Sequence, residues 1–452
     1  VSGYRAALVA PVGEPPIVDG VVVVEGSRIA WVGRAAESPT TAIEDLGDVV
    51  ITPGIINTHT HLDLTAYRGV LGGLDFFGWI RRLTESKTLL SEDDLLDCAR
   101  MGIVEGMMRG VTTYADTSNT DAAFDAMREM GVRGVAFREV FGPDAVMAPS
   151  ALDGLKATVT RMLPHATPLV AVGVSPHAPY SVSDALFESV AAYARAEGLP
   201  MAIHVAESDA ESQLVTDGSG PFATFLAARG IAVVPRAPTP IALLSRVKAL
   251  GPLTLLIHCV RVDRDDIATI KRHGCGVAHC PVSNAWFGHG IAPAAAMLAA
   301  EVRLGVGTDS MGSNPRMDVL CEAEKMLEAQ AGQVRSAEEA EALRTTDVLT
   351  LSTIGGACAL RLEHLVGTLA KGQEADLAVF PLPAVLSRAH APSMRQLGDA
   401  LAAERADARG VMVAGRWLVQ EGQLVVRDPE LPGRVAAITE RLVRWRSARA
   451  DG

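Results

Sequence analysis

The sequence predicts an α/β protein, a (β/α)8 TIM-type barrel carrying a small β domain formed by both chain ends. Three observations predict it. Between Pro53 and Glu363, eight strand-like runs alternate with alanine-rich helical patterns, the signature of repeated βα units and a parallel sheet. Both ends of the chain carry short β-rich runs with Gly turns and no helical period. The composition, 48% hydrophobic but only 4% aromatic, demands an aliphatic, alanine-rich core, and 452 residues hold a barrel of ~250 to 300 residues plus a smaller domain.

In chain order, the N-terminal β segment, assigned to residues 1–52, contains GVVVVEGSRIAWVG. The barrel is assigned to 53–362, with the runs VVITPGIINTHTH, GVTTYAD, GVRGVAFREV, LVAVGVSPH, LPMAIHVAE, LTLLIHC, CGVAHC and VRLGVGTD as its strands. The segments between them read as helices; SVSDALFESVAAYARAEG offers Ser183 as N-cap, an apolar stripe, and Gly198 as a stop. The stretch between His204 and His258 exceeds a simple βα connection and predicts an insertion over the site. LVGTLAKGQEADLAVF and GVMVAGRWLVQEGQLV bring back the β pattern, so 363–430 completes the domain begun at 1–52. GRVAAITERLVRWRS has helical spacing and assigns 431–452 to a terminal helix.

Charge and cysteine usage exclude several function classes. A net charge of −12, without a Lys/Arg cluster on any recognisable motif, argues against a nucleic acid partner. No apolar run reaches ~18 residues, so no membrane role is expected. The six cysteines include no C-x-x-C pair and read as reduced thiols of a cytoplasmic protein. The N-terminal residues lack a secretory pattern, although the start at Val1 need not be the native one.

The chemistry is written at the strand ends. In IINTHTHLDL, His59 and His61 alternate with one Thr, so in a strand they share a face ~6.6 Å apart along the chain and can share one metal ion. A turn that carries two histidines is the competing reading of this stretch alone. The other runs end in His177, His204, His258, His279 and Asp309. A barrel gathers the C-terminal ends of its strands on one face, so these seven groups converge. Zinc accepts imidazole nitrogens and carboxylate oxygens, and a catalytic site keeps a position for water; His59, His61, His204 and Asp309 suit it, with His258 beside them to orient the water. Metal-bound water ionises near pH ~7 and needs a proton shuttle. Glu207 follows His204 by three residues, within reach of water and substrate, though an exposed loop Glu is the plainer reading of that position alone.

PGIINTHTHLD, SPHAPYSVS, HVAES, HCV, HCPVSN and GTDS together resemble the successive motifs of the amidohydrolase superfamily, in its branch of aminohydrolases and chlorohydrolases. The resemblance runs from about Gly20 to Val425. It implies a β-sandwich beside a metal-dependent barrel, with His59, His61, His204 and Asp309 as metal ligands and Glu207 as proton shuttle. It also implies His258 beside the hydroxide, His177 as a substrate contact, and a homo-oligomer, dimer or higher. Binuclear members bridge their metals with a carboxylated lysine at the end of the fourth strand; LVAVGVSPHAPYS has none, so one divalent ion is expected, Zn2+ or alternatively Fe2+. H-E-x-x-H is absent, as is the H-x-E with P-C-x-x-C pairing of the other zinc deaminase fold.

The expected reaction is hydrolytic deamination of an amino-substituted heteroaromatic ring, a small-molecule substrate, with Glu207, His258 and Asp309 handling protons and charge. Phe76, Phe77 and Trp79 in one loop, and Asn284, Trp286, Phe287 and His289 in another, concentrate rings suited to a planar base, with ordinary loop packing as the alternative. His279 joins the expected substrate wall. Arg138 is a candidate for a ribose or carboxylate contact, or for an ion pair with Glu139 or Glu207. HTHLDLTAYRG, the aromatic loop and HCPVSNAWFGHG are similar to members that deaminate 6-amino-6-deoxyfutalosine, an adenosine derivative. S-adenosylhomocysteine or methylthioadenosine deamination stands beside it, with guanine deamination and triazine dechlorination as alternatives. A cyclic-amide hydrolase and a non-catalytic barrel scaffold rank below: the first wants the bridging lysine, the second predicts a missing ligand or shuttle.

Overall fold

The computed structural model of the chain describes residues 1–386 and 390–450. Eight parallel strands form the barrel: Ile55–His61, Val111–Ser118, Arg133–Val140, Val170–Pro176, Met201–Val205, Thr254–His258, Gly276–His279 and Arg303–Val306. The eighth strand is interrupted after Val306. Its first part pairs with the seventh strand, while Asp309–Ser310 pairs with the first, opposite Thr60 and His61, so the two-residue step 307–308 closes the ring. A side chain at Gly307 would meet the backbone of His59 at 2.5 Å, so only glycine allows this approach.

The run VVITPGIINTHTH, expected as one barrel strand, divides at Gly54. Val49–Pro53 pairs antiparallel with Leu377–Pro381 and parallel with Ser2–Val9, whereas Ile55–His61 enters the barrel. Proline ends the first ladder because it has no N–H to donate. The second sheet has nine strands, and its centre joins the two chain ends. It curls until the tip of one hairpin meets residues near 374, Ile29 donating to the Gln373 carbonyl at 2.9 Å and Ala375 to Ser27 at 2.7 Å. Inside the curl, Tyr4, Val22, Ile29, Ile51, Leu377 and Met412 form their own core. Leu8, further along the strand Ser2–Val9, joins the barrel's core instead.

The C-terminal portion is not β throughout. Met394–Glu404 is a helix with a Ser393/Gln396 capping box, and it packs Leu397 and Leu401 onto the barrel core. The final helix, Leu431–Ala450, buries Leu431, Ile438 and Leu442 against Tyr67, Leu71 and Trp79, and Arg434 binds Asp97 through two nitrogens. It therefore supports the loop that follows the first barrel strand. The insertion after His204 holds three short helices, Asp209–Asp217, Gly220–Ala228 and Pro240–Arg246. Among the described residues, no helix is long and apolar enough to cross a membrane.

Candidate active site

The barrel strands end in a closed group of imidazoles and carboxylates. His59 and His61, two residues apart on the first strand, place Nε2 3.5 Å and 3.6 Å from Asp309 Oδ1. The His59 ring lies 4.9 Å from both His61 and His204, centre to centre, and His204 lies 5.5 Å from His258. Ligand atoms of His59, His61 and Asp309 fall within 4.8 Å of one another, as do those of His59, His204 and His258. The backbone is strained where it carries these groups: φ is positive at His258 (74°), Asp309 (57°) and Ala206 (52°), outside the region that side-chain-bearing residues prefer.

The donors fit a cation. Both ring nitrogens of His59 and Nδ1 of His204 are buried without a hydrogen-bond partner, a costly state for polar atoms unless something binds them. Burial drives the His59 imidazole down to about 4 and holds His204 well below its usual value, so both present neutral lone pairs at pH 7. Asp309 behaves oppositely. Burial pushes its carboxyl up, but the adjacent His59 imidazole, with His258 and His61 behind it, holds it below the carboxylate range. Ser283 Oγ donates to Asp309 Oδ2 at 2.6 Å and fixes its plane.

Beside this group stands Glu207, 3% exposed, with Oε1 3.6 Å from His258 Nε2 and 3.4 Å from His289 Nε2. Its loop is clamped from below: Glu211 accepts the backbone N–H of Ala206 at 2.8 Å and of Glu207 at 3.2 Å, and burial raises the Glu211 carboxyl to about 8. His177 closes the fourth strand 4.8 Å from the His204 ring, and burial lowers it to about 3. Phe76 lies 4.6 Å from the His289 ring, and Phe287 5.3 Å from it, so an aromatic wall adjoins Glu207. Tyr180 stacks on Phe222 of the insertion at 4.2 Å, and both reach Phe76 at 6.3 Å.

The other expected contacts meet protein groups or the surface. Asn284 donates to His258 Nδ1 at 3.1 Å, and His279 Nδ1 meets the His258 carbonyl at 3.3 Å, so both orient His258. Trp79 is buried against Phe287 with Nε1 toward the Gly312 carbonyl, while Trp286 is 47% exposed at the surface. Arg138 pairs with Asp121 at 3.3 Å, not with Glu139 or Glu207. Sequence reasoning overlooked Glu211, Ser283, Tyr180 and Phe222. It named Glu139 only as a partner for Arg138, yet alternation from Val135 and Phe137, which face the barrel interior, directs Glu139 there too.

Known proteins share this fold. The model of the amidohydrolase family matches residues 50–418. A 5-methylthioadenosine/S-adenosylhomocysteine deaminase of Desulforudis audaxviator is 31% identical over 448 residues, covering 97% of each chain. Among solved structures, an adenosine deaminase from Xanthomonas campestris with bound zinc superimposes with a TM-score of 0.75 at 23% identity, over 97% of this chain and 98% of its own. The Helicobacter pylori aminofutalosine deaminase in complex with methylthio-coformycin gives 0.80 at 20% identity, over 93% and 100%. The family match spans most of the chain and includes every strand end that carries the histidine and aspartate cluster, and this chain belongs to the amidohydrolase family.

Proposed function

We propose that the protein is a metal-dependent hydrolytic deaminase of adenine nucleosides, of the 5-methylthioadenosine and S-adenosylhomocysteine type. One observation carries the reading: a buried carboxylate, Glu207, flanked by two imidazoles beside the neutral rings of His59 and His204 and an ionised aspartate. The 31% identity to a 5-methylthioadenosine/S-adenosylhomocysteine deaminase supports the substrate class. His59, His61, His204 and Asp309 would hold one divalent ion, Zn2+ by preference. When bound, that ion supplies Lewis acidity and lowers the pKa of water toward neutrality.

The chain's own groups do the rest. Glu207 accepts a proton from the attacking water and delivers it to the ring nitrogen next to the amino-bearing carbon, which makes that carbon electrophilic. His258, held in one tautomer by Asn284, keeps Nε2–H toward the reacting oxygen. Asp309 accepts the second proton of the water and passes it to the amino group, which departs as ammonia and leaves a ring carbonyl. Phe76 and Phe287 offer faces to the base and exclude water. The same reading has the protein working in the cytoplasm as a homo-oligomer.

Ammonia release tests the proposal, measured with S-adenosylhomocysteine, methylthioadenosine, 5′-deoxyadenosine, 6-amino-6-deoxyfutalosine, guanine, cytosine and a chlorotriazine. Turnover of the 5′-substituted adenosines supports it. Turnover of only guanine or the triazine refutes it.

A further inference from the structure

Glu139 and His177 end the third and fourth barrel strands on the open side of the histidine cluster. Glu139 Oε1 is buried without a hydrogen-bond partner, and its side chain is 7% exposed. It faces His177 Nε2 across 4.0 Å. Ser181 Oγ lies 2.7 Å from His177 Nδ1 and 3.2 Å from the Ala178 carbonyl, and so holds the imidazole plane. The buried Glu139 oxygen lacks a donor, and a guest placed between it and His177 would supply one.

Two guests fit there, a divalent cation or a pair of hydroxyls. A cation would need His204 as third ligand, because ligand atoms of Glu139, His177 and His204 lie within 4.8 Å of one another. His204 is already committed to the group around His59, and two ligands fall short of the three or four that hold such an ion. Neighbouring hydroxyls reach both groups without any borrowed ligand. We infer that Glu139 and His177 form a subsite for the 2′,3′-diol of a ribonucleoside, one hydroxyl donating to Glu139 and the other hydrogen-bonded to His177 Nε2.

The position agrees with that assignment. The His177 side chain is 17% exposed and lies 4.8 Å from Phe141, itself 43% exposed at the rim, whereas His59 is wholly buried. A base seated at Glu207 would thus carry its sugar toward the opening. Arg138, turned to Asp121, leaves the Glu139 carboxylate to the sugar. The inference rests on the nucleoside reading above and adds that the enzyme selects ribonucleosides with a free diol over deoxynucleosides and free bases.

The test uses the full chain loaded with zinc, and its variants Glu139→Ala and Glu139→Gln. kcat/KM is measured for adenosine, 2′-deoxyadenosine, 3′-deoxyadenosine and 2′,3′-dideoxyadenosine, and binding of inosine and 2′,3′-dideoxyinosine is measured by calorimetry. A hydrogen bond to a charged group predicts a wild-type preference of about 10- to 100-fold for the diol, falling to within about threefold in Glu139→Ala and lying between in Glu139→Gln. Zinc content should not change. The inference is overturned if the wild type ignores the diol, if the preference survives in both variants, or if the wild type binds two zinc ions and the variants one. Calorimetric diol preference that Glu139→Ala abolishes, without turnover of any adenosine, would retain the subsite and reject the deaminase. Turnover without diol preference would do the reverse.

Discussion

The Oε1 of Glu207 lies 3.4 Å from the Nε2 of His289, a residue seated between two glycines. Gly288 and Gly290 both have positive φ, 68° and 99°, and turn the backbone so that the intervening imidazole points inward. Its ring is gripped by Phe76 and Phe287, and its backbone N–H donates to the backbone carbonyl of Asn284 at 2.9 Å. A loop histidine thus orients the group proposed to shuttle the proton.

Replacing it should separate orientation from binding. His289→Ala is expected to lower kcat about 10-fold or more, the scale of a lost polar contact to a charged group, with KM within a few-fold of wild type. His289→Gln, which can still donate, should regain part of the loss. A rise in KM at constant kcat would assign His289 to substrate binding instead.

Glu207→Gln retains size and hydrogen bonding but cannot carry the proton. General acid–base catalysis is worth ~10² to 10⁴-fold, so kcat should fall by that order while metal content measured by elemental analysis stays constant. Near-normal turnover would falsify the shuttle role.

His204→Ala should act on the metal itself. Elemental analysis is expected to give about one ion per wild-type chain and markedly less for the variant. Adding zinc to metal-free wild type should raise Tm, since an ion that binds only the folded state stabilises it. Two ions required for activity would overturn the single-metal assignment.

Acid should unfold the metal-free protein early. Burial lowers His59 and His279 from 6.5 to about 4, so between those values the unfolded chain takes up protons that the folded chain refuses. Stability is fully present above pH 6.5 and lost as pH falls toward 4. Calorimetric Tm measured across this range should decline steadily, and a flat profile would contradict neutral burial of these rings.

A buried ion pair ties the barrel to the second sheet. Arg133, at the base of the third barrel strand, binds Asp376 through Nε at 2.7 Å and Nη2 at 3.0 Å, and both side chains are buried. Arg133→Met leaves the Asp376 carboxylate unpaired, which should cost about 3–5 kcal/mol in urea unfolding. A loss below about 1 kcal/mol would show that water reaches the carboxylate.

Much of this protein is legible in the order of its residues. The βα alternation of the middle of the chain prescribes parallel strands, because apolar runs of strand length separated by amphipathic helices have few other ways to bury their faces. Strand ends of a barrel share one rim, so histidines placed there could be read as neighbours before any distance was known. The expectation for His59, His61, His204, Asp309 and Glu207 rests on that topology.

What tertiary structure alone decided is which polar groups those neighbours engage. Asn284 and His279 orient His258, Arg138 turns to Asp121, and Trp286 stays at the surface, although each sits in a segment that sequence reading assigned to substrate. Glu139 and His289 were single letters until folding buried one opposite His177 and turned the other onto Glu207. Periodicity records which face a side chain shares, since that depends on backbone geometry alone. Partner choice depends on loops that are distant in sequence, whose hydrogen bonds are settled only when burial removes water as the competing partner.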